Sequence, residues 1–187
     1  YLVSSVYWLG NLYWIGYVTV PGYVLFCLYI GSYWPILVVL LRYFRRKWPK
    51  LPLCIVIPFL FLGAEAWQGI LITGFSWRLL GHSQHENLPL IQIADSFGVA
   101  GISLIIAMVN GFVAEAIIAY RQCKLQMMGN LFKGVAIAGI IAGTLTYGNW
   151  RLEQSDEFIS EGPLIGAIQP NIPSNIKELA DVGRPIL

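Results

Sequence analysis

The chain has 187 residues, of which 57% are hydrophobic and only 12% are charged, and its net charge is +2. This composition excludes a soluble domain of ordinary make-up, and the small net charge gives no case for a nucleic-acid partner. The sequence therefore predicts an all-α membrane protein, a bundle of several transmembrane helices.

Five apolar runs predict about five transmembrane helices, each of about 20 residues. Residues 1–41 contain no Asp, Glu, Lys, Arg or His and are long enough for the first two spans. The third run covers residues 51–72, the fourth about 99–120 and the fifth about 134–150. Pro35 and Pro58 fall inside spans, and each predicts a kink whose freed carbonyl group is satisfied by neighbouring helices.

Basic residues predict the orientation of the bundle. Five Lys or Arg lie in the loop at 42–50, and three more lie in the loop at 121–133. Short loops rich in Lys and Arg resist translocation, so both loops are predicted to be cytoplasmic. The loop at 73–98 has one basic residue, Arg78, and is predicted to be external, as is everything after residue 150.

The character of the chain changes after the fifth span. Residues 151–163 are rich in acids and are predicted to form a solvated linker. The run from Leu164 to Pro173 is apolar and ends in turn residues, as is typical of the buried first strand of an α/β domain. The remaining 14 residues, to Leu187, are too few to complete such a domain. Residues 164–187 are therefore predicted to be its beginning.

Glu65 is the one acid deep inside a predicted span, where a charge needs a partner or a proton. Gln68 lies one helical turn further on, so it shares a face with Glu65. Two roles remain open for Glu65: a hydrogen-bonded group that holds helices together, or a group that handles substrate. On the fourth span, Asn110 is expected to form an interhelical hydrogen bond, and Glu115 to pair with the cations that follow it.

No metal site, cofactor site or activated nucleophile is predicted. His82 and His85 are three residues apart, but a convincing third ligand is missing. The three cysteines, Cys27, Cys54 and Cys123, have no metal-binding spacing and lie in or beside spans. They are predicted to be unreactive membrane thiols.

Three ordered segments carry a family resemblance: "EAWQGILITGFSWRLLGHSQ" (65–84), "LIQIADSFGVAGISLIIAMVNGFVAE" (90–115) and "IGAIQPNIP" (165–173). Together they resemble the membrane half of apolipoprotein N-acyltransferases, and the resemblance covers nearly the whole chain. Gln68 stands where the family has Arg, and Ser76 stands where it has Pro. The residues that match the family pattern are Glu65, Gly74, Phe75, Trp77, Leu80, Gly81, Ser83, Gln84, Gly98, Gly101, Ser103, Asn110, Gln169, Asn171, Ile172 and Pro173.

The resemblance implies a nitrilase-like αββα domain on the outer face of the bundle. Such enzymes transfer an acyl chain from a phospholipid donor to the α-amine of the diacylglyceryl-cysteine of a lipoprotein acceptor. A Cys thiolate forms a thioester, a Glu acts as base and a Lys stabilises the oxyanion. In the family all three lie beyond the first strand of that domain. The resemblance therefore implies that this chain is a fragment without catalytic residues, inactive alone, from a bacterial cytoplasmic (inner) membrane protein.

The resemblance also assigns a role to the external loop. Glu65, Phe75, Trp77 and Gln84 are the expected substrate-binding residues, with the two aromatic side chains at headgroup level guiding an acyl chain. A transporter or channel subunit without enzymatic activity is the alternative function, because an intramembrane Glu and kinking prolines would suit one. A membrane scaffold with no chemistry is a third possibility.

Overall fold

The structure is a computed structural model, and it describes residues 1–72, 74–121, 127–154, 157 and 162–169. The chain divides into two compact units, Tyr1–Ser155 and Asp156–Leu187. The described part of the first unit is helical. Its α-helices are α1 (Leu2–Asn11), α2 (Val20–Gly31), α3 (Tyr33–Lys47), α4 (Leu53–Ile70), α5 (Leu88–Ile91), α6 (Ala94–Arg121) and α7 (Met127–Glu153), and its 3₁₀ helices are Tyr13–Tyr17 and Leu80–Gln84.

Four helical stretches in the described residues are long and apolar enough to cross a membrane: Val20–Lys47, Leu53–Ile70, Ala94–Arg121 and Gly129–Glu153. The predicted multi-span helix bundle is confirmed, but the count of about five is wrong by one. The difference lies in residues 1–41, where two spans were expected. That run contains the ten-residue α1, a 3₁₀ helix, α2 and the beginning of α3. Because the run has no charged residue, hydropathy does not mark these breaks.

The stretch Val20–Lys47 is broken at Ser32, between α2 and α3. Pro35 lies in the first turn of α3, and a proline ring clashes with the carbonyl group four residues earlier, here that of Gly31. The freed Gly31 carbonyl accepts a hydrogen bond from the Ser4 hydroxyl of α1. The division between α2 and α3 thus lies three residues before Pro35, where a kink was predicted. At Pro58, by contrast, α4 continues as one helix.

Small residues bring the helices of the first unit together. Among the described elements α4 and α6 pack most extensively. A Cβ atom added to Gly111 of α6 would lie 2.5 Å from the Leu53 carbonyl oxygen of α4, so the two backbones are in direct contact. On α7, a Cβ atom at Gly148 would lie 1.7 Å from the Pro89 carbonyl oxygen of α5.

Polar contacts at one end of the bundle tie α4, α6 and α7 together. The Glu115 carboxylate accepts a hydrogen bond from the Leu53 amide, at 3.0 Å, and pairs with Lys133. The sequence predicted ion pairing of Glu115 with Arg121 and Lys124; the partner found is Lys133, and Lys124 lies outside the described residues. Asn110 donates to the Ile106 carbonyl of its own helix, at 3.0 Å, so the predicted interhelical bond is wrong.

The other end is joined by a second polar cluster. Oδ2 of Asp95, at the start of α6, accepts hydrogen bonds from the Tyr147 hydroxyl at 2.6 Å and from Nε of Arg151 at 3.0 Å. Arg151 also donates to Oε1 of Gln154, at 3.0 Å. The first turn of α6 is thereby joined to the last turns of α7.

The boundaries of the predicted loops also need correction. Helix α3 continues to Lys47, so most of the basic stretch 42–50 is helical. Residues 127–133 belong to α7 rather than to the loop 121–133, and α7 extends to Glu153, into the predicted linker 151–163. The stretch 73–98 contains a 3₁₀ helix, α5 and the first turn of α6.

In the second unit, residues 162–169 form neither helix nor strand, and Leu164, Ile165 and Ile168 are exposed. The predicted strand from Leu164 to Pro173 is therefore not confirmed over its described part. Residues 170–173 lie outside the described residues. A strand requires a hydrogen-bonded partner strand, and the described residues contain none.

Candidate functional site

The segment 74–87, here called the docked loop, follows α4. Hydrogen bonds to its backbone groups hold it on the end of that helix. The Phe75 amide donates to the Gln68 carbonyl and the Gln68 side-chain amide donates to the Phe75 carbonyl, each at 2.9 Å. Gly74 makes the turn possible: its φ is +70°, and a Cβ atom there would lie 2.4 Å from the Gly69 carbonyl oxygen. Gln68, where the family has Arg, therefore anchors the loop through its own donor.

Glu65 accepts a hydrogen bond from the Leu80 amide on its Oε1, at 2.6 Å. It lies five residues before the end of α4, which places it about 7 Å from that end. The partner that the sequence required is thus a backbone amide of the following loop. This geometry supports a structural, hydrogen-bonded role for Glu65. The bond joins α4 to the loop that follows it, however, and does not join two helices.

The second 3₁₀ helix, Leu80–Gln84, packs on α6 through two residues of the family pattern. The Gly81 amide donates to the buried Ser103 hydroxyl at 2.9 Å, and a Cβ atom on Gly81 would lie 2.7 Å from the Val99 carbonyl oxygen. Gly98 has φ +61° and ψ −169°, which interrupts α6 one turn after its start. The Gly-x-x-Gly-x-Ser pattern of residues 98–103 therefore sets the course of α6 beside the loop and supplies an acceptor for it.

The two aromatic residues of the loop have different environments. Phe75 packs edge-on against Phe26, with ring centroids 4.9 Å apart, and against Trp8, at 6.3 Å. It belongs to the apolar cluster of α1 and α2 formed by Trp8, Leu12, Cys27 and Ile30. Trp77 is 59% exposed and stacks on Trp14, with centroids 5.4 Å apart. Of the pair, Trp77 alone presents a large free aromatic surface.

A cavity of about 330 Å³ lies between this loop and helices α1, α3 and α4. Its lining combines aromatic and apolar side chains with polar ones, among them Glu65 and Gln68. Arg78 also lines it, and its guanidinium group donates to Asn11 Oδ1 at 2.7 Å. The lining residues are Tyr7, Trp8, Trp34, Phe61, Glu65, Gln68, Arg78, Leu79, Leu80, His82, Ser83 and His85. The chemistry of this lining suits an amphipathic molecule with an apolar chain and a polar head.

The four residues named from the sequence are only partly brought together here. Glu65 lines the cavity, whereas Phe75, Trp77 and Gln84 are not among its lining residues. The Gln84 side-chain amide donates to the neighbouring Ser83 hydroxyl, at 3.3 Å. Sequence reasoning missed Tyr7, Trp34 and Phe61, which are aromatic residues in apolar runs and carry no distinguishing local signal. Arg78 also lines the cavity and was not named as a site residue. A sequence signal could have found it, because it is the single basic residue of its loop.

His82 and His85 also line the cavity. In the described residues, no group of three or more His, Cys, Asp or Glu side chains is placed to hold a metal ion. The thiols of Cys27 and Cys54 are buried within the bundle, and Cys123 lies outside the described residues.

Comparison with known proteins adds the family. The sequence model of the apolipoprotein N-acyltransferase N-terminal domain matches residues 1–112, more than half of the chain. The chain is 33% identical to the apolipoprotein N-acyltransferase of Geobacter metallireducens over 160 residues, which cover 80% of this chain and 28% of that protein. It is 30% identical to the enzyme of the same name from Coxiella burnetii over 135 residues, or 72% of this chain and 26% of that protein.

A third relative of that name, from Rhodopirellula baltica, is 26% identical over 140 residues, which cover 69% of this chain and 24% of that protein. The chain thus spans between about a quarter and three-tenths of the length of these relatives. No solved structure is significantly similar to it. The matched region contains α1 to α5, most of α6 and the whole docked loop, and on this evidence the chain belongs to the apolipoprotein N-acyltransferase family.

Proposed function

We propose that this chain forms the membrane part of an enzyme that moves an acyl chain from a phospholipid to the α-amine of the diacylglyceryl-cysteine of a lipoprotein. The family match over residues 1–112 carries the proposal. The relatives named above bear the name of that activity, and they are more than three times as long as the stretch they share with this chain. In this proposal the bundle ends with α7 at Glu153, the linker follows it to residue 163, and residues 164–187 are the beginning of a nitrilase-like domain.

The reaction proceeds in two acyl transfers. A cysteine thiolate attacks the ester carbonyl of the phospholipid, a thioester forms, and the lysophospholipid leaves as an alcohol after taking up a proton. The lipoprotein amine then attacks the thioester carbonyl, an amide forms and the thiolate leaves. A glutamate removes the protons and a lysine stabilises the oxyanion. The buried positions of Cys27 and Cys54 do not suit a nucleophile, so we assign the three groups to the nitrilase-like domain.

The contribution of this chain is to hold the lipids, in the outer leaflet of the bacterial cytoplasmic membrane, beside that chemistry. The cavity offers aromatic side chains for an acyl chain and polar side chains for the ester and headgroup. Glu65 and Phe75 fix the loop, through the Leu80 amide and the Phe26 ring. Trp77 is the exposed surface along which the acyl chain moves, and Gln84, on the 3₁₀ helix Leu80–Gln84, supplies a polar group of the same loop.

The test is Trp77→Ala in the complete protein. Removing this exposed indole takes away apolar contact worth about 1–3 kcal/mol without opening a cavity in the bundle. We expect slower thioester formation and slower lipoprotein N-acylation per folded molecule, with the free energy of unfolding lowered by no more than the lost stack on Trp14, about 0.5–1.5 kcal/mol. Trp48→Ala is the matched control, because Trp48 is also largely exposed but follows α3 at the other end of the bundle.

Wild-type rates for Trp77→Ala would overturn the guiding role. A loss that merely follows reduced protein in the membrane would also overturn it. Equal losses in Trp77→Ala and Trp48→Ala would indicate a general effect of losing an interfacial indole.

A further inference from the structure

A second cavity, of about 420 Å³, lies at the end of the bundle opposite the docked loop. It is an open groove between the last turns of α3, the beginning of α4 and the end of α6. Three arginines of α3 form one side, Arg42, Arg45 and Arg46, while the apolar side is formed by Leu41, Leu53 and Ile118. Positions 42, 45 and 46 are spaced three and four apart, so their side chains emerge on one helix face.

The surroundings of this groove are strongly positive. Eight basic residues fall in the two stretches at this end, 42–50 and 121–133, and Glu115 is the single acid close to them in sequence. The Glu115 carboxylate is already engaged by Lys133 and by the Leu53 amide. Within the part of the chain that the structure describes, the guanidinium groups of Arg42, Arg45 and Arg46 have no hydrogen-bond or ion-pair partner.

We propose that this groove binds one anionic phospholipid from the leaflet that surrounds it. The phosphodiester lies among the three guanidinium groups, and an acyl chain lies along Leu41, Leu53 and Ile118. Guanidinium groups suit a phosphate because their planar donors match its oxygens in pairs, which a lysine ammonium cannot reproduce. Basic pockets between transmembrane helices at a membrane surface bind such headgroups for this reason.

An alternative explains the same charges by orientation alone, since basic residues keep a short loop on the cytoplasmic side. The two readings differ in which cations matter. Orientation depends on the number of positive charges near the span ends, whereas a binding site depends on those that line the groove. Lys47 and Lys50 belong to the same stretch but do not line it, so they serve as a charge-matched comparison.

The site is independent of the acyltransferase reaction. Helix α4 has 18 residues and is about 27 Å long, and the groove is at its start whereas the docked loop follows its end. A lipid bound in the groove would therefore lie in the leaflet opposite to the one that the proposed reaction uses. Failure to bind lipid in this groove would therefore not contradict the function proposed for the first cavity.

The experiment uses the complete protein, purified in detergent and stripped of lipid. Phosphatidylglycerol or phosphatidylethanolamine of the same acyl chains is titrated in, and retained lipid is counted by native mass spectrometry. We expect phosphatidylglycerol to half-saturate one site at a concentration about tenfold lower than phosphatidylethanolamine, as is ordinary for a charge-assisted pair. In Arg45→Gln/Arg46→Gln this preference should disappear, whereas Lys47→Gln/Lys50→Gln should keep it.

A third variant guards against misfolding. Arg45→Lys/Arg46→Lys retains both charges but loses the paired donors, so we expect it to fold normally, to keep the preference for phosphatidylglycerol and to bind both lipids more weakly than the wild type. Equal weakening in the Arg→Gln and Lys→Gln pairs would overturn the proposal, as would equal binding of the two lipids to the wild type. Displacement of phosphatidylglycerol by millimolar inorganic phosphate would show that a free anion, not a lipid, occupies the site.

Discussion

The hydrogen bond from the Leu80 amide to Glu65 Oε1 gives this carboxyl group of α4 a conformational task. A carboxylate in the apolar region is expensive, and one that accepts a bond from an otherwise unpaired amide satisfies two polar groups at once. Gln68 acts in the same way one turn later. Its side-chain amide donates to the Phe75 carbonyl, and its backbone carbonyl accepts from the Phe75 amide. At both positions the side chain recognises main chain rather than another side chain.

Substitution at position 65 can separate this task from acid–base chemistry. Glu65→Gln keeps a carbonyl acceptor for the Leu80 amide, and we expect it to unfold near the wild-type temperature. Glu65→Leu leaves that amide without a partner, which costs about 1–3 kcal/mol. Thermal unfolding in detergent, together with limited proteolysis after the loop, would measure both. Equal destabilisation by the two changes would show that the charge itself is required.

Glycine placement determines how closely the elements approach. The second 3₁₀ helix lies directly on α6 at Gly81, and the start of α4 lies on α6 at Gly111. Apolar runs predicted α4, α6 and α7 to within several residues because lipid-facing helices need continuous apolar surface. The same signal could not divide residues 1–41, where every element is equally apolar. The backbone partners of Glu65 and Gln68 could not be predicted either, because an amide group has the same chemistry at every position.

A pair of Gly→Ala changes tests the close approach. Gly81→Ala forces a methyl group against the Val99 carbonyl, 2.7 Å away, and overpacking of this kind costs about 1–3 kcal/mol. Gly139→Ala is the control: it lies in α7, and a Cβ atom there meets nothing within 4 Å. We expect Gly139→Ala to stabilise the protein by up to about 1 kcal/mol through helix propensity. Thermal midpoints that fell equally in both variants would contradict this account of the loop contact.

Across the whole molecule, charge is distributed very unevenly between the two ends of the bundle. Among the described residues, the end formed by the last turns of α3 and the start of α7 carries seven basic residues, whereas the other end carries Arg78 of the docked loop and Arg151 of α7. Helix α4 connects the two ends. If one end is assigned to one face of the membrane, the other end therefore lies at the opposite face. The basic end is predicted to be cytoplasmic.

Labelling of Cys123 tests this orientation in intact cells. Cys27 and Cys54 are buried and should not react with a membrane-impermeant maleimide. Cys123 belongs to the basic stretch 121–133 and should react only after the membrane is opened. Comparison of the wild type with Cys123→Ser identifies its signal against any other thiol. Reaction of Cys123 from outside would reverse the orientation and would remove the proposed reaction from the outer leaflet.

Because the docked loop is held by main-chain groups, its shape does not depend on the identity of most of its side chains. Leu80 donates through its amide, and Phe75 both donates and accepts through its backbone. Among the described residues, the Ser76 amide makes no backbone hydrogen bond. The Pro that the family has at this position would therefore remove none. Such a loop can diverge in sequence during evolution while its course is inherited. Members of one family could then adapt the lipids they accept, one side chain at a time, on an unchanged frame.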